Sequence, residues 1–485
     1  MRHYIGIDLG TTNSAICSFD GKETRIWKSP DQSDVTPSAI YIDRKGHRFY
    51  GRKAFELASV NEKNAATLFK RYLGTSRTYQ LADSGVSLNP VECSAQLLGV
   101  LFGYLPEEIR NDPDTVTVIT VPAAFNQMKK DATLEAARLA GIGRTALMQE
   151  PVAAVMSVLK KDDSEKRFLI YDLGGGTFDV SVAQLTGGHV SLLAQGGREM
   201  CGGRDMDRWI FSHRILPWLK EQFDLPENMM EDPKYQAVRR IALFAAEEAK
   251  IALSSAESAD IWRDEDTLQT KDESGKPMYL ELTLTREDMQ GIVCSMAEET
   301  VDLALETLQR AGISASAANQ IVFIGGPTMY APLREEVCRL LGIEKGTTVN
   351  PMTAVAEGAA IYAETINWED ERHQRKESYD EMKAGEEIQI RYEKRTSSPQ
   401  GKIAVIVPDG AMRVVRIMSA EGTGKYDSGR VSIVRHGILS IPLPEPGNYR
   451  FTLTIEDAEG RPCMEPVTLE LTRTLASIQS IPASH

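Results

Sequence analysis

Two short segments of this sequence carry residue types suited to holding a polyphosphate and a divalent cation. Ile5-Gly6-Ile7-Asp8-Leu9-Gly10-Thr11-Thr12 and Leu169-Ile170-Tyr171-Asp172-Leu173-Gly174-Gly175-Gly176-Thr177 share one grammar. Each is an apolar run, an aspartate, a glycine/threonine turn and a second β-like run, Ser14–Phe19 or Phe178–Ala183. Backbone N–H groups in such turns can donate to phosphate oxygens with no bulky side chain in the way. Asp8 and Asp172 each end a strand and could aim two carboxylates at one Mg²⁺, through water, as that ion prefers. A single Asp-Leu-Gly turn arises by chance. Two of them, 164 positions apart from Asp8 to Asp172 and one reading DLGGGTFDV, suggest related halves that face each other.

Other chemistries lack their signatures. There is no GxxxxGK[ST], HExxH or GxSxG, and no GxGxxG opening a helix. Against 55 lysines and arginines stand 69 acidic residues, a net charge of −14, which disfavours nonspecific binding to nucleic acid or anionic membranes. Cys17, Cys93, Cys201, Cys294, Cys338 and Cys463 form neither a CxxC pair nor a zinc-type cluster, so reduced thiols are expected. The first residues, MRHYIGIDLG, begin a β-like run with no signal-peptide pattern, and no stretch approaches the ~18 apolar residues of a membrane span. The expectation is a soluble, cytoplasmic protein.

The elements that must position the turns alternate between strand and helix. Thr115–Val121 is a β-branched run ended by Pro122, and Asp131–Ala140 is helical with Gly141 at its end. Tyr235–Ala256 and Arg286–Ala311 read as long helices, Ile321–Ile324 as a strand feeding Gly325-Gly326, and Thr353–Ile366 as a closing helix. This is an α/β pattern that binds its ligand at strand ends. At 485 residues more than one unit is expected. The stretch 368–387 is dense in both charges and reads as a solvated helix or linker. Six short runs follow, Ile403–Val407, Val414–Met418, Val431–Val434, Ile438–Ile441, Tyr449–Ile455 and Val467–Leu471, which suggest a β-sandwich over 388–485.

GIDLGTTNS, LFKRYLGT, VPAAFNQMKKDAT, AGIGRTALMQEPVAA, DLGGGTFDVSV, EEAKIALSS, IVFIGGPT and NPMTAVAEGAA resemble the diagnostic segments of DnaK-type (70-kDa heat-shock) chaperones, in order, over about residues 3 to 364. The resemblance implies a two-lobed, actin-like α/β ATPase over 1–367, with ribonuclease H-like lobes of about 1–167 and 168–367. It further implies slow ATP hydrolysis to ADP and phosphate with Mg²⁺, accompanied by K⁺, and polypeptide clients and cochaperones as partners. Gly10, Thr11, Thr12 and Asn13 match the first phosphate loop, and Gly174, Gly175, Gly176 and Thr177 the second. Gly202, Gly203, Gly325 and Gly326 join them as nucleotide contacts. Asp8, Asp172 and Asp179 fall at the carboxylates that organise the cations. Lys70 matches the lysine that reaches the γ-phosphate and attacking water, and Glu150 the acid near that water; Thr177 is grouped with Lys70, Glu150 and Asp172 as catalytic. By themselves Lys70 reads as a surface lysine and Glu150 as an acid favoured at a helix start.

The adenosine side departs from the family. Glu247, Lys250 and Ser254 keep positions that share one helix face. Ile251, however, stands where a stacking arginine is usual, Pro327-Thr328-Met329 replaces Ser-Thr-Arg, and Met352 replaces an aspartate. Ile251 and Met329 are candidates for an apolar purine contact, with plain core packing the competing reading for Ile251. Ala146 lies where the family has an arginine used by J-domain partners, which argues against that coupling, and the apolar interdomain linker is absent. Two further classes stay open: a nucleotide-gated module with little turnover and one dedicated partner, and a kinase or filament protein of the same superfold.

Overall fold

The computed structural model describes residues 3–159, 165–186, 189–343, 349–366, 368, 379–384, 388–393, 395–396, 400–407, 411–419, 426–434, 436–445, 447–473 and 481–482. The chain divides into two compact units, Met1–Thr365 with Ser480–His485, and Ile366–Gln479.

The first unit is mixed α/β and built on two sheets of matching design. In one, the hairpin Tyr4–Asp8/Asn13–Phe19 is flanked by Thr24–Ile26 on one side and by the parallel strands Val116–Val121 and Arg144–Gln149 on the other. In the other, Glu165–Leu173/Thr177–Thr186 is flanked by His189–Glu199 and by the parallel strand Gln320–Ile324. The repeated hairpin expected from the sequence is therefore a repeated sheet. Asp8, Val121 and Gln149 close the strands of the first set, and Asp172 and Ile324 are paired in the second. Strand carboxyl ends are where α/β sheets bind ligands.

Two helices cross between these sheets. Glu150–Val158, opened by Pro151, continues from the last strand of the first sheet and touches the strands of the second. Ala354–Thr365 packs on Tyr4–Asp8, Val116–Val121 and Asn13–Phe19 of the first sheet. The two helices meet so closely that a side-chain carbon on Gly358 would lie 1.7 Å from the Ala153 carbonyl oxygen, and the strand Tyr4–Asp8 meets the second helix as closely, since a carbon on Gly6 would lie 2.1 Å from Ala356 O. Glycine is the residue that permits such backbone approach. The closing helix thus belongs with the first sheet although it follows the second in sequence.

Separate apolar clusters pack around the two sheets, one including Ile5, Ile7, Leu97, Leu98 and Phe102, the other including Tyr171, Phe178, Phe211, Tyr235 and Leu333. No helix among the described residues is long and apolar enough to cross a membrane.

The second unit is β-rich. Its pairing path runs through Tyr379–Ala384, Ile388–Glu393, Gln400–Ile406, His436–Pro442, Val431–Val434, Met412–Ser419, Gly447–Glu456, Val467–Arg473 and Arg395–Thr396. Because Arg395–Thr396 directly follows Ile388–Glu393 in the chain, the path returns on itself around Ile390, Val405, Ile417, Leu453 and Leu469. Phe451, Leu453 and Ile455 are buried in alternation, as the period of that run requires. Most of the charged stretch 368–387 lies outside the described residues, but Tyr379–Ala384 within it is a strand rather than linker. It stands at one end of the pairing path.

Candidate functional site

Lys70 is carried by a helical turn, Phe69–Tyr72, and Glu150 by the junction of a strand and the helix it enters. The fold brings them together: Lys70 Nζ donates to Glu150 Oε1 at 2.5 Å, with the side chains 4% and 14% exposed. Burial opposes the charge on Lys70, yet Glu150, Asp8 and Asp172 outweigh it and hold the ammonium's pKa above its ordinary value.

The three aspartates are pushed the other way. Burial raises Asp8 to about 6, Glu150 adds to the rise, and Lys70 and the hydroxyl of Thr120, which donates to Asp8 Oδ1 at 3.2 Å, pull it back. Burial likewise raises Asp172 well above the carboxylate range, reinforced by Glu150, Asp179 and Asp8. Asp179, opposite Asp172 in the hairpin ladder, is raised to about 6 by restricted solvation and by Glu150. It keeps solvent contact through the cavity it faces, so screening blunts the energetic weight of its shift. That cavity, about 310 Å³, is lined by Pro122, Ala123, Glu150, Asp172, Asp179 and Arg310, among others. Crowded carboxylates that resist ionisation gain from a nearby cation, and this cluster fits Mg²⁺. Asp8, Asp172 and Asp179 are the residues that would hold it, through the water shell that this ion keeps.

The two glycine turns lie together. Gly10 N donates to Ser14 Oγ, and Ser38 Oγ returns a bond to Gly10 O, fixing the turn before Thr11, Thr12 and Asn13. Ser38 N also donates to Thr12 O. In the second loop Gly174 N donates to Thr177 O at 2.9 Å. The two loops touch: a side-chain carbon on Gly175 would stand 2.5 Å from Thr12 Oγ1. Gly202 and Gly203 pack behind the second loop, Gly203 N donating to Gly174 O. A carbon on Gly325 would meet Leu173 O at 2.1 Å and Asp172 Oδ1 at 3.3 Å, which brings the Gly325-Gly326 turn to the same place.

On the remaining side, Lys250 Nζ donates to Asp207 Oδ1 at 2.5 Å and to Gly203 O at 2.9 Å. Pro327 joins them, since a carbon on Gly203 would touch both Pro327 Cγ and Lys250 Nζ. Glu247 is raised by burial, with Lys250 lowering and Asp207 raising it. Ser254 sits in the turn that ends the helix, its N–H on Ile251 O. Ile251 and Met329 are 57% and 38% exposed, which removes core packing as the account of Ile251. Met352 Sδ lies against Gly326.

Thr120 and Asp207 escaped the sequence reading. Thr120 is a strand residue with no motif around it, and Asp207 is visible only as an acid four positions after the Gly202-Gly203 pair. The sequence matches the family described as "Hsp70 protein" over residues 4–374.

Proposed function

The chain belongs to the Hsp70 family, and from that premise we propose that it binds ATP between its two α/β halves and hydrolyses it slowly, with Mg²⁺, in chaperone-type work on polypeptides. ATP binding and an actin-like ATPase fold are properties of that family. The finer reading rests on one observation above all: the buried Lys70–Glu150 pair lies among Asp8, Asp172 and Asp179, beside two glycine loops in contact.

Phosphoryl transfer to water asks for positioning and charge neutralisation more than for covalent chemistry. The loops at Gly10–Asn13 and Gly174–Thr177 offer backbone donors to phosphate oxygens. Lys70, already cationic and desolvated, neutralises charge on the terminal phosphate. Glu150 or Asp172 orients the attacking water and takes its proton. Mg²⁺, when bound, supplies further neutralisation of the phosphate oxygens. Glu247, Lys250, Ser254, Ile251, Pro327 and Met329 form the adenosine side, with two apolar residues where the family stacks arginines.

An intact Lys70–Glu150 pair favours turnover over a nucleotide-gated module that scarcely hydrolyses. Calorimetry with ATP and single-turnover hydrolysis separate the two. Mg²⁺-dependent hydrolysis that disappears in Lys70→Ala and Asp172→Asn is expected; undiminished turnover in both variants refutes the mechanism. A cytoplasmic location and a polypeptide client for the β-rich unit belong to the same proposal.

A further inference from the structure

The cavity bordered by Glu150, Asp172 and Asp179 is also lined by a second set of polar groups, Ser181, Gln195 and Arg310. Ser181 and Gln195 stand opposite each other on the paired strands Thr177–Thr186 and His189–Glu199. Ser181 is only 5% exposed. Among the described residues neither its hydroxyl nor the Gln195 amide has a hydrogen-bond partner. Arg310 ends the helix Gln290–Arg310 and is exposed, at the cavity's outer side. Its Nη2 donates to Thr307 Oγ1 at 2.9 Å, and among the described residues it has no carboxylate partner. Two consecutive glycines separate this arginine from the acids. A side-chain carbon on Gly196 would stand 2.8 Å from Arg310 Nη2, and one on Gly197 would stand 2.8 Å from Asp179 Oδ1. Bare backbone at both positions leaves the space between them open.

One cavity thus joins three carboxylates to one guanidinium. An anion produced at the acidic end is repelled there and attracted to the arginine. The Ser181 hydroxyl, the Gln195 amide and the planar fork of Arg310 are all donors suited to phosphate oxygens. At about 310 Å³ the cavity has room for an orthophosphate with water around it. In phosphoryl transfer the attacking and leaving oxygens are roughly in line, so phosphorus moves towards the attacking water as its bond to ADP breaks. With Glu150 orienting that water, the motion is towards this cavity. We propose that Ser181, Gln195 and Arg310 form a subsite for the inorganic phosphate that hydrolysis releases. The described residues that line it come from outside the turns Gly10–Asn13 and Gly174–Thr177, so phosphate leaves by a way other than the nucleotide's own loops. The proposal rests on ATP hydrolysis as proposed above.

Calorimetry with inorganic phosphate, on the full chain saturated with Mg·ADP, tests the subsite at equilibrium. Arg310→Gln is expected to weaken phosphate by about tenfold, the scale of one charged hydrogen bond, with ADP affinity unchanged. Arg310→Lys should restore most of the loss. Gln195→Trp, at an exposed position, narrows the cavity without entering the core. Rapid quench beside a fluorescent phosphate sensor then times cleavage and release separately within one turnover. Cleavage should keep its rate in Gln195→Trp while release lags several-fold behind it. Normal phosphate affinity in Arg310→Gln together with normal release in Gln195→Trp overturns the subsite and leaves the nucleotide site standing. A parallel loss of ADP affinity in Arg310→Gln also overturns it, because the arginine then serves the nucleotide. Failure of the unaltered protein to bind ADP or cleave ATP overturns the proposed function itself.

Discussion

Lys70 and Glu150 are 80 positions apart, yet Lys70 Nζ donates to Glu150 Oε1 at 2.5 Å in a site closed from water on most sides. Neither element alone places either group. The turn Phe69–Tyr72 and the start of the helix Glu150–Val158 must both be in register with the first sheet. Burying such a pair costs desolvation that its attraction barely repays.

Lys70→Ala should lower the single-turnover rate of ATP hydrolysis by roughly 100-fold or more, the scale of losing one preorganised donor. It should also lower stability by about 3 kcal/mol, since the carboxylates around it lose their compensating charge. Rapid-quench hydrolysis and urea denaturation measure the two. A rate within a few-fold of normal would contradict the assigned role.

Asp8 has a folded pKa of about 6 against an ordinary 3.8. A raised carboxyl favours the folded state in its protonated form. That contribution is complete below 3.8 and is lost as pH rises towards 6. Cation and nucleotide bind against the ionised form, so Mg·ADP binding should release protons near pH 6 and few near pH 8. Calorimetry in two buffers of different ionisation enthalpy reads the release. Asp8→Asn should remove Asp8's share, while the nucleotide's own phosphate proton is common to both proteins. Equal release from the two proteins counts against the reading.

Gly358→Ala should destabilise the ATPase unit by about 2 kcal/mol or more, because the new carbon falls 1.7 Å from Ala153 O on the crossing helix. The gain in helix propensity, about 1 kcal/mol, has the opposite sign and is smaller. A urea midpoint at or above that of the unaltered protein would show that the two helices separate readily.

Ile251→Arg should tighten ATP by about 0.5–2 kcal/mol if the exposed position borders the purine, as a guanidinium over an aromatic ring does. Titration with ATP and with a ribose triphosphate lacking the base distinguishes stacking from simple charge attraction. Equal gains for both ligands would place Ile251 away from the base.

Much of this site was legible because glycine turns are local. DLGTT and DLGGGT each encode a strand, an aspartate and a turn within ten residues, and the period-two run Tyr449–Ile455 likewise encodes its own burial. Thr120 and Asp207 were not legible, because their meaning depends on what faces them from distant parts of the chain. The strand Tyr379–Ala384 was hidden by the density of charge in its sequence.

Sequence alone determined the repeated acidic turns, the α/β class and the candidate phosphate-binding residues, since these follow from backbone permissiveness and hydrophobic period over short spans. Only the tertiary structure decided that Ala354–Thr365 returns to the first sheet, that Thr12 meets Gly175, and that Lys70 reaches Glu150. Those contacts join residues far apart in the chain, and their closure is fixed by the packing of crossing helices and paired sheets rather than by any local preference.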